Sequence, residues 1–347
     1  MSKIILGLSG GIDSAVAAFL LKKEKHQVKA VYLDLQSFHN RKFDQFRTRN
    51  AQQIADYLSI PLEIHNLQES FSSTVVEYYI QQYSRGRTPN PCAICNQKIK
   101  FNYLLNQLAE HSYDLAATGH YARKVFKNQD FYLSPGVDRI KSQEYFLALL
   151  SSSQIAKCIF PLAKYTKSEV RKIAVDEKIP VSPHNESQDL CFGENYNNHN
   201  IISSYSRSKN VPGKIFDTSG REIGEHSGIS GFTVGQRKGL KISGKIPYYV
   251  KIINYKDNSL IIAPHDDLYA NSVSVDLANW RGILEKKYLA KIRYRHIPCE
   301  GFIKKQDRRY IFSFRKPQWA PAPGQLLVVY DHDQTVIGAG FIDQIYY

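Results

Sequence analysis

Three thiols and one glycine-rich turn hold most of the reactive chemistry in this sequence. Cys92 and Cys95 form a Cys-x-x-Cys pair directly after Thr88-Pro89-Asn90-Pro91. Two prolines so close together keep the backbone extended, so the pair is predicted at the mouth of a helix running to about Glu110. A helix N-terminus stabilises the thiolate, the nucleophilic form, and the expectation is a lowered thiol pKa. Half of a zinc site, or two buried thiols, are the plainer readings. A zinc ribbon needs a second Cys-x-x-Cys or a His pair, which the sequence does not offer. Cys191 follows Glu186-Ser187-Gln188-Asp189-Leu190 and precedes Phe192. Acids raise a thiol's pKa, so by its own surroundings Cys191 reads as a small buried hydrophobe. Cys158 and Cys299 read as core or surface residues.

The second centre is Gly7-Leu8-Ser9-Gly10-Gly11-Ile12-Asp13-Ser14, between apolar Ile4-Ile5-Leu6 and the Ala/Leu-rich residues 15–21. This is a strand, a tight turn and a helix. Glycines admit a ligand close to the backbone, and the helix start offers N–H groups without intrahelical partners, so the turn suits an anion. No Lys follows the glycines, which excludes the G-x-x-x-x-G-K-[ST] phosphate loop. Ser-Gly-Gly-x-Asp-Ser instead resembles the loop of ATP-pyrophosphatase-type enzymes, which split ATP between its α- and β-phosphates.

These groups need a scaffold. Residues 28–33 and 62–67 read as strands, residues 51–58 and 69–83 as helices, and residues 115–118 as a strand ending at Gly119-His120. Such alternation predicts a doubly wound parallel sheet, whose ligands lie beyond the C-terminal strand ends. Thr166-Lys167-Ser168-Glu169 is a capping pattern opening a helix to about Glu177. A shift to Asn, His and Ser across residues 196–210 sets the first domain boundary. Period-two segments at 248–255, 260–263, 288–294, 309–314 and 326–330 predict a small antiparallel β-barrel. The expected division is a catalytic domain over 1–200, a small central domain over 201–265 and a barrel over 266–347.

Composition limits the partners. The net charge is +14 over 347 residues, with twelve Lys or Arg against three acids between 281 and 316. Tyr288, Tyr294, Tyr310 and Phe312 interleave those cations, which favours a nucleic acid partner. No run reaches membrane-span length and no cationic leader precedes a long apolar segment, so a cytoplasmic protein without membrane attachment is expected. An odd cysteine count does not suggest a secreted disulfide framework.

Taken together, residues 7–14, 86–96, 117–123, 187–192, 212–214, 224–228, 235–240 and 293–295 resemble the bacterial tRNA-specific 2-thiouridylases, across nearly the whole chain. The resemblance implies a sulfurtransferase that thiolates C2 of the wobble uridine (position 34) of tRNA, using ATP and Mg²⁺. It places ATP on Gly7, Leu8, Ser9, Gly10, Gly11, Ile12, Asp13 and Ser14, framed by Leu33 and Gly119. It makes Cys191 the persulfide carrier and Cys95 its partner nucleophile, able to form a disulfide with it. It sets Asn90, Pro91 and Cys92 against the target base, Lys141, Ser142 and Gln143 against the anticodon arm, and Arg293, Tyr294 and Arg295 on the barrel. A sulfur donor, either a cysteine desulfurase or a relay protein, is implied; DNA is not.

Two departures stand out. Cys92 occupies a position where some members carry Asp, assigned there as general base. Cys92, Cys95 and Cys191 therefore also form the set that an iron–sulfur cluster would use, and the cluster would then carry the sulfur. Arg49-Asn50 stand where an acid is expected. The rival readings are a tRNA lysidine synthetase, an NAD synthetase, a 4-thiouridine synthetase, or a non-catalytic RNA-binding module that keeps the nucleotide fold as a scaffold. Insensitivity to Cys95→Ser would favour the first two, and the retained Asp13 argues against the last.

Overall fold

In Lys3–Gly7 (β1), Ile4 and Leu6 face one side of a sheet and Ile5 the other, and all three are buried. Both faces are therefore covered by helices. The computed structural model describes residues 1–35, 41–181, 191, 202, 211–244, 246–307 and 309–347, with the side chains of 41–45 outside that description. Chain contacts divide it into two units. The first comprises residues 1–75, 92–192 and 334–336; the second comprises 76–91, 193–333 and 337–347.

The first unit is built on a five-stranded sheet. Beside β1 lie Gln27–Asp34 (β2), Leu62–Asn66 (β3), Leu115–Thr118 (β4) and the short Cys158–Ile159, here β7. Their order is β3-β2-β1-β4-β7 and every pairing is parallel. The direction of winding reverses between β1 and β4, where Gly7 lies opposite Thr118. Such a switch point opens a crevice beyond the strand ends, and the turn at residues 8–11 leaves from it.

On one face lie Ile12–Lys23 (α1), Arg41–Leu58 (α2) and the helix Lys167–Asp176, joined through Val16, Leu21, Ile54, Leu58 and Val170. On the other lies Phe101–His111, through Leu104 and Leu108. The helix α2 begins ten residues before the expected 51, because its first half is largely polar, with Phe43 and Phe46 its only apolar residues. Residues 69–83 form two helical pieces, Gln68–Phe71 and Glu77–Ser84, around a π-helical segment Ser72–Val76. A hairpin, Ala122–Lys127 (β5) with Asp130–Pro135 (β6), has no counterpart in the sequence reading. Its turn residues Asn128 and Gln129 have φ of 51° and 60°, the geometry that Asn-Gly usually signals.

The second unit holds two sheets. Gly213–Phe216 (β8), Glu222–His226 (β9), Tyr248–Asn254 (β10) and Ser259–Pro264 (β11) pair in the order β10-β11-β8-β9 over a core of Ile215, Phe232, Val250 and Ile262. The last six strands are Tyr269–Ala278 (β12), Lys287–Lys291 (β13), Cys299–Gln306 (β14), Arg309–Trp319 (β15), Leu326–Tyr330 (β16) and Val336–Tyr346 (β17). They close a barrel in the order β12-β15-β14-β13-β16-β17. Val273, Val275, Phe312, Val328 and Ala339 are fully buried in this region. The fold class read from the sequence is therefore the fold observed. The expected boundary at 200, the segment 196–210 apart from Ile202, and Ser187, Gln188, Asp189, Leu190 and Phe192 lie outside the described residues. Among the described residues no helix is long and apolar enough to cross a membrane.

Candidate active site

The glycine-rich turn is held by its own polar atoms. Ser9 N–H donates to Ser14 Oγ at 3.1 Å, and Ser14 Oγ donates to Gly11 O at 2.9 Å. Gly11 caps α1 with an extended backbone and no side-chain cap bond. At Gly10 φ is +76°, and a Cβ there would stand 2.5 Å from Arg47 O of α2, so both conformation and space demand glycine. Leu8 and Ile12 point into the core and are 1% and 5% exposed. Only their backbones can serve a nucleotide. Leu33 lies at the C-terminal end of β2, packed against the cluster around Leu104.

Asp13, in the first turn of α1, meets two residues from distant parts of the chain. Its Oδ1 accepts from Tyr121 OH and from Lys167 Nζ, both at 2.6 Å. Neither contact is encoded by local spacing, and sequence reasoning saw Lys167 only as part of a cap. That capping box, Thr166 with Glu169, is present as expected.

The thiols lie in the same unit. Pro91–Ile94 starts the helix, which widens to a π-helical segment over Cys95–Lys100 before Phe101–His111. Asn96 Nδ2 and Gln97 Nε2 anchor that segment to Phe146 O and Leu149 O, at 3.2 and 2.9 Å. None of the five cysteines is in a disulfide. Cys95 is 5% exposed, whereas Cys92 remains reachable from solvent although protein encloses it on most sides. The lowered thiol pKa expected from the helix start is corrected here. Burial pushes Cys92 up to about 11 and Cys95 up to about 12, Cys191 adds to both, and only Lys100 pulls them back. Loss of hydration outweighs the helix N-terminus. Lys100 sits above the ordinary lysine value: burial alone would lower it, but the charges of Cys95, Cys191 and Cys92 together outweigh burial.

A thiol with a raised pKa is protonated at neutral pH, so its thiolate fraction climbs with pH. At pH 8 roughly one Cys92 in a thousand and one Cys95 in ten thousand would be thiolate. Carboxymethylation of these two residues, followed by peptide mass mapping, should rise about tenfold per pH unit from 7 to 10. A plateau near pH 8 would show instead that the helix start controls these sulfurs.

His120, beyond β4, is pushed down to about 3 by burial and then by Lys100, so it stays neutral. Its Nδ1 lies 2.8 Å from Thr118 Oγ1 and its ring 5.9 Å from that of Phe101. Gly119 brings β4 against the start of α1: a Cβ there would lie 2.7 Å from Asp13 C and Ser14 N.

The residues expected to meet RNA are placed unevenly. Lys141 is exposed, Gln143 is half-buried, and Ser142 is 4% exposed and donates to Tyr121 O and Glu144 Oε2. In the second unit Asn90 is buried with its amide on Gln325 Oε1, and Pro91 is buried. The Arg293 guanidinium donates to Val234 O and Ala320 O at 2.9 and 2.7 Å, Tyr294 is half-buried, and Arg295 is exposed. Ser142 and Arg293 are thus tied into the fold.

Among the described residues no group of three or more His, Cys, Asp or Glu has the arrangement of a metal site. Mg²⁺ needs no such cage, since one or two carboxylates plus substrate phosphates suffice, and Asp13 fits that part. The three thiols sense one another electrostatically but do not make a ligand set in this structure.

Three family models cover the chain. A tRNA methyl transferase HUP domain matches residues 2–195, a tRNA methyl transferase PRC-barrel domain 199–264, and an aminomethyltransferase beta-barrel domain 271–342. Curated relatives match end to end. A tRNA-specific 2-thiouridylase MnmA 2 of Thermoanaerobacter sp. (strain X514) is 36% identical over 358 residues, covering 99% of this chain and 98% of its own. The tRNA-specific 2-thiouridylases MnmA of Treponema denticola and Geobacter metallireducens are 35% and 36% identical, covering 99% and 98% of this chain and 98% and 96% of theirs. With its glycine-rich loop, its Cys92–Cys95 pair, its closed barrel and these end-to-end matches, this chain belongs to the tRNA-specific 2-thiouridylase family.

Proposed function

We propose that the chain is a sulfurtransferase that converts uridine 34 of tRNA to 2-thiouridine, with ATP activating the C2 oxygen and a cysteine persulfide supplying the sulfur. The observation that carries the reading is a nucleotide-type loop at a sheet switch point in the same unit as Cys92, Cys95 and Cys191.

The uridine O2 attacks the α-phosphorus, the α–β bridging P–O bond breaks, and pyrophosphate leaves with the bonding pair. The N–H groups at the start of α1 receive phosphate oxygens, and Asp13 is the residue that would hold Mg²⁺, which would neutralise phosphate charge. The terminal sulfur of a Cys191 persulfide, delivered by a donor protein, then adds to C2 and AMP leaves. Cys95 attacks the Cys191 sulfur, the S–S bond breaks toward the base, and the sulfur stays on C2. The resulting Cys95–Cys191 disulfide is reopened by an external thiol reductant. Neutral Cys95 gives up its proton as it attacks, and Lys100 stabilises the charge formed. No step is routed through a cluster, because the thiols do not form a ligand group among the described residues.

Purified protein, ATP, Mg²⁺, a persulfide donor and a tRNA transcript should yield AMP, pyrophosphate and 2-thiouridine in equal amounts. Iron and sulfide analysis after anaerobic purification separates the routes. Thiolation by iron-free protein supports the persulfide. Thiolation lost together with iron in Cys92→Ala would assign the sulfur to a cluster.

On the barrel, the exposed Arg295 is the better candidate for RNA phosphate. Arg295→Ala should weaken tRNA binding and flatten its salt slope by about one. Arg293→Ala should instead lower thermal stability, since it strands two backbone carbonyls.

A further inference from the structure

Residues 9–14 read Ser-Gly-Gly-Ile-Asp-Ser, so the nucleotide loop carries no cation of its own. Cleavage between the α- and β-phosphates loads charge onto a leaving pyrophosphate, and a G-x-x-x-x-G-K-[ST] loop meets that charge with its own lysine. Here the fold brings one from far along the chain. Lys167 is 8% exposed, and its Nζ lies 2.6 Å from Asp13 Oδ1. Tyr121 OH donates to the same oxygen at 2.6 Å, and its ring centroid lies 5.9 Å from the ammonium.

The lysine backbone is fixed as firmly as its side chain. Lys167 N–H donates to Asp138 Oδ2 at 2.9 Å, and the Thr166–Glu169 capping box sets where its helix begins. Asp138 Oδ1 is held in turn by the N–H groups of Ile140 and Lys141, at 3.1 and 3.0 Å. An ion pair between a buried lysine and a half-buried aspartate is a poor stabilising device, because lost hydration cancels much of the attraction. Its placement on the anion loop gives it a different use.

We propose that Lys167 is a catalytic residue whose ammonium binds the β- and γ-phosphates of ATP and neutralises the departing pyrophosphate. Asp13 and Tyr121 hold that ammonium beside the loop until nucleotide arrives. This rests on the adenylation reading above and adds the cation that the loop itself lacks.

The test measures pyrophosphate release, inhibition by inorganic pyrophosphate, and melting temperature, with full-length protein, tRNA, ATP and Mg²⁺. Lys167→Met should lower turnover by roughly a hundredfold to a thousandfold and raise the pyrophosphate inhibition constant at least about tenfold. Lys167→Gln keeps a donor toward Asp13 without the charge, should behave alike, and replaces the Met variant if that one does not fold. Lys172→Met removes an exposed cation from the same helix, paired there with Asp176 and not with the loop, and should keep the inhibition constant within about threefold of wild type. An inhibition constant unchanged in both Lys167 variants, or raised equally in Lys172→Met, would overturn the assignment and leave Lys167 as a counter-ion of Asp13. Wild-type protein that releases no pyrophosphate with tRNA would overturn the adenylation reading instead.

Discussion

Cys95→Ser protein should release pyrophosphate from ATP and tRNA at close to the wild-type rate while forming no 2-thiouridine. On the proposed route the two steps use different parts of one unit: the turn at residues 8–14 serves base activation, and the thiols serve sulfur exchange. Serine has nearly the shape of cysteine and Cys95 is 5% exposed, so the packing around it is retained. Asn96 and Gln97 still tie the π-helical segment to Phe146 O and Leu149 O. On that route, what disappears is the sulfur that would attack a Cys191 persulfide. Loss of a covalent nucleophile costs on the order of a thousandfold or more. Single-turnover assays that follow pyrophosphate and thiolated nucleoside separately would check this. Thiolation within tenfold of wild type would remove Cys95 from the sulfur path.

Gly119→Ala should cost both stability and nucleotide binding. The added methyl would stand 2.7 Å from Asp13 C and Ser14 N, and these are backbone atoms that no rotamer change can move aside. Either the end of β4 or the first turn of α1 must shift, and the anion-binding N–H groups shift with it. The expected cost is roughly 1–3 kcal/mol of stability, with ATP affinity reduced at least about tenfold. Gly11→Ala is the control for stability, because a Cβ there meets only Ser9 Oγ, at an ordinary 3.6 Å. Thermal melts and ATP titration of both variants, with a normal melt for Gly119→Ala, would show that the close approach is dispensable.

Local chemistry was legible in the sequence and long-range chemistry was not. The alternation of Ile4, Ile5 and Leu6, the Ala-rich α1 and the Thr166–Glu169 cap all depend on neighbours within a few residues, and the structure contains each of them. The first half of α2 was missed because Phe43 and Phe46 are its only apolar residues among eight polar ones. The β5–β6 hairpin turns on Asn128-Gln129, without the glycine that marks such turns. At the site, the nucleotide loop could be read from its glycines and serines. The contact of Lys167 with Asp13 could not, since it joins residues 154 apart in sequence. The sign of the thiol shifts turned on burial, which depends on the whole fold. Motif order across the chain carried the family, whereas residue roles such as those of Ser142 and Arg293 required coordinates.

The closed β12-β15-β14-β13-β16-β17 order leaves the barrel without an exposed strand edge. A partner cannot be taken up by strand addition, so only side chains and loops can grip it. Any recognition by this surface is therefore separable from the hydrogen-bonded ladder that keeps the barrel folded. Exposed positions such as Arg295 can therefore change one at a time while the backbone stays the same.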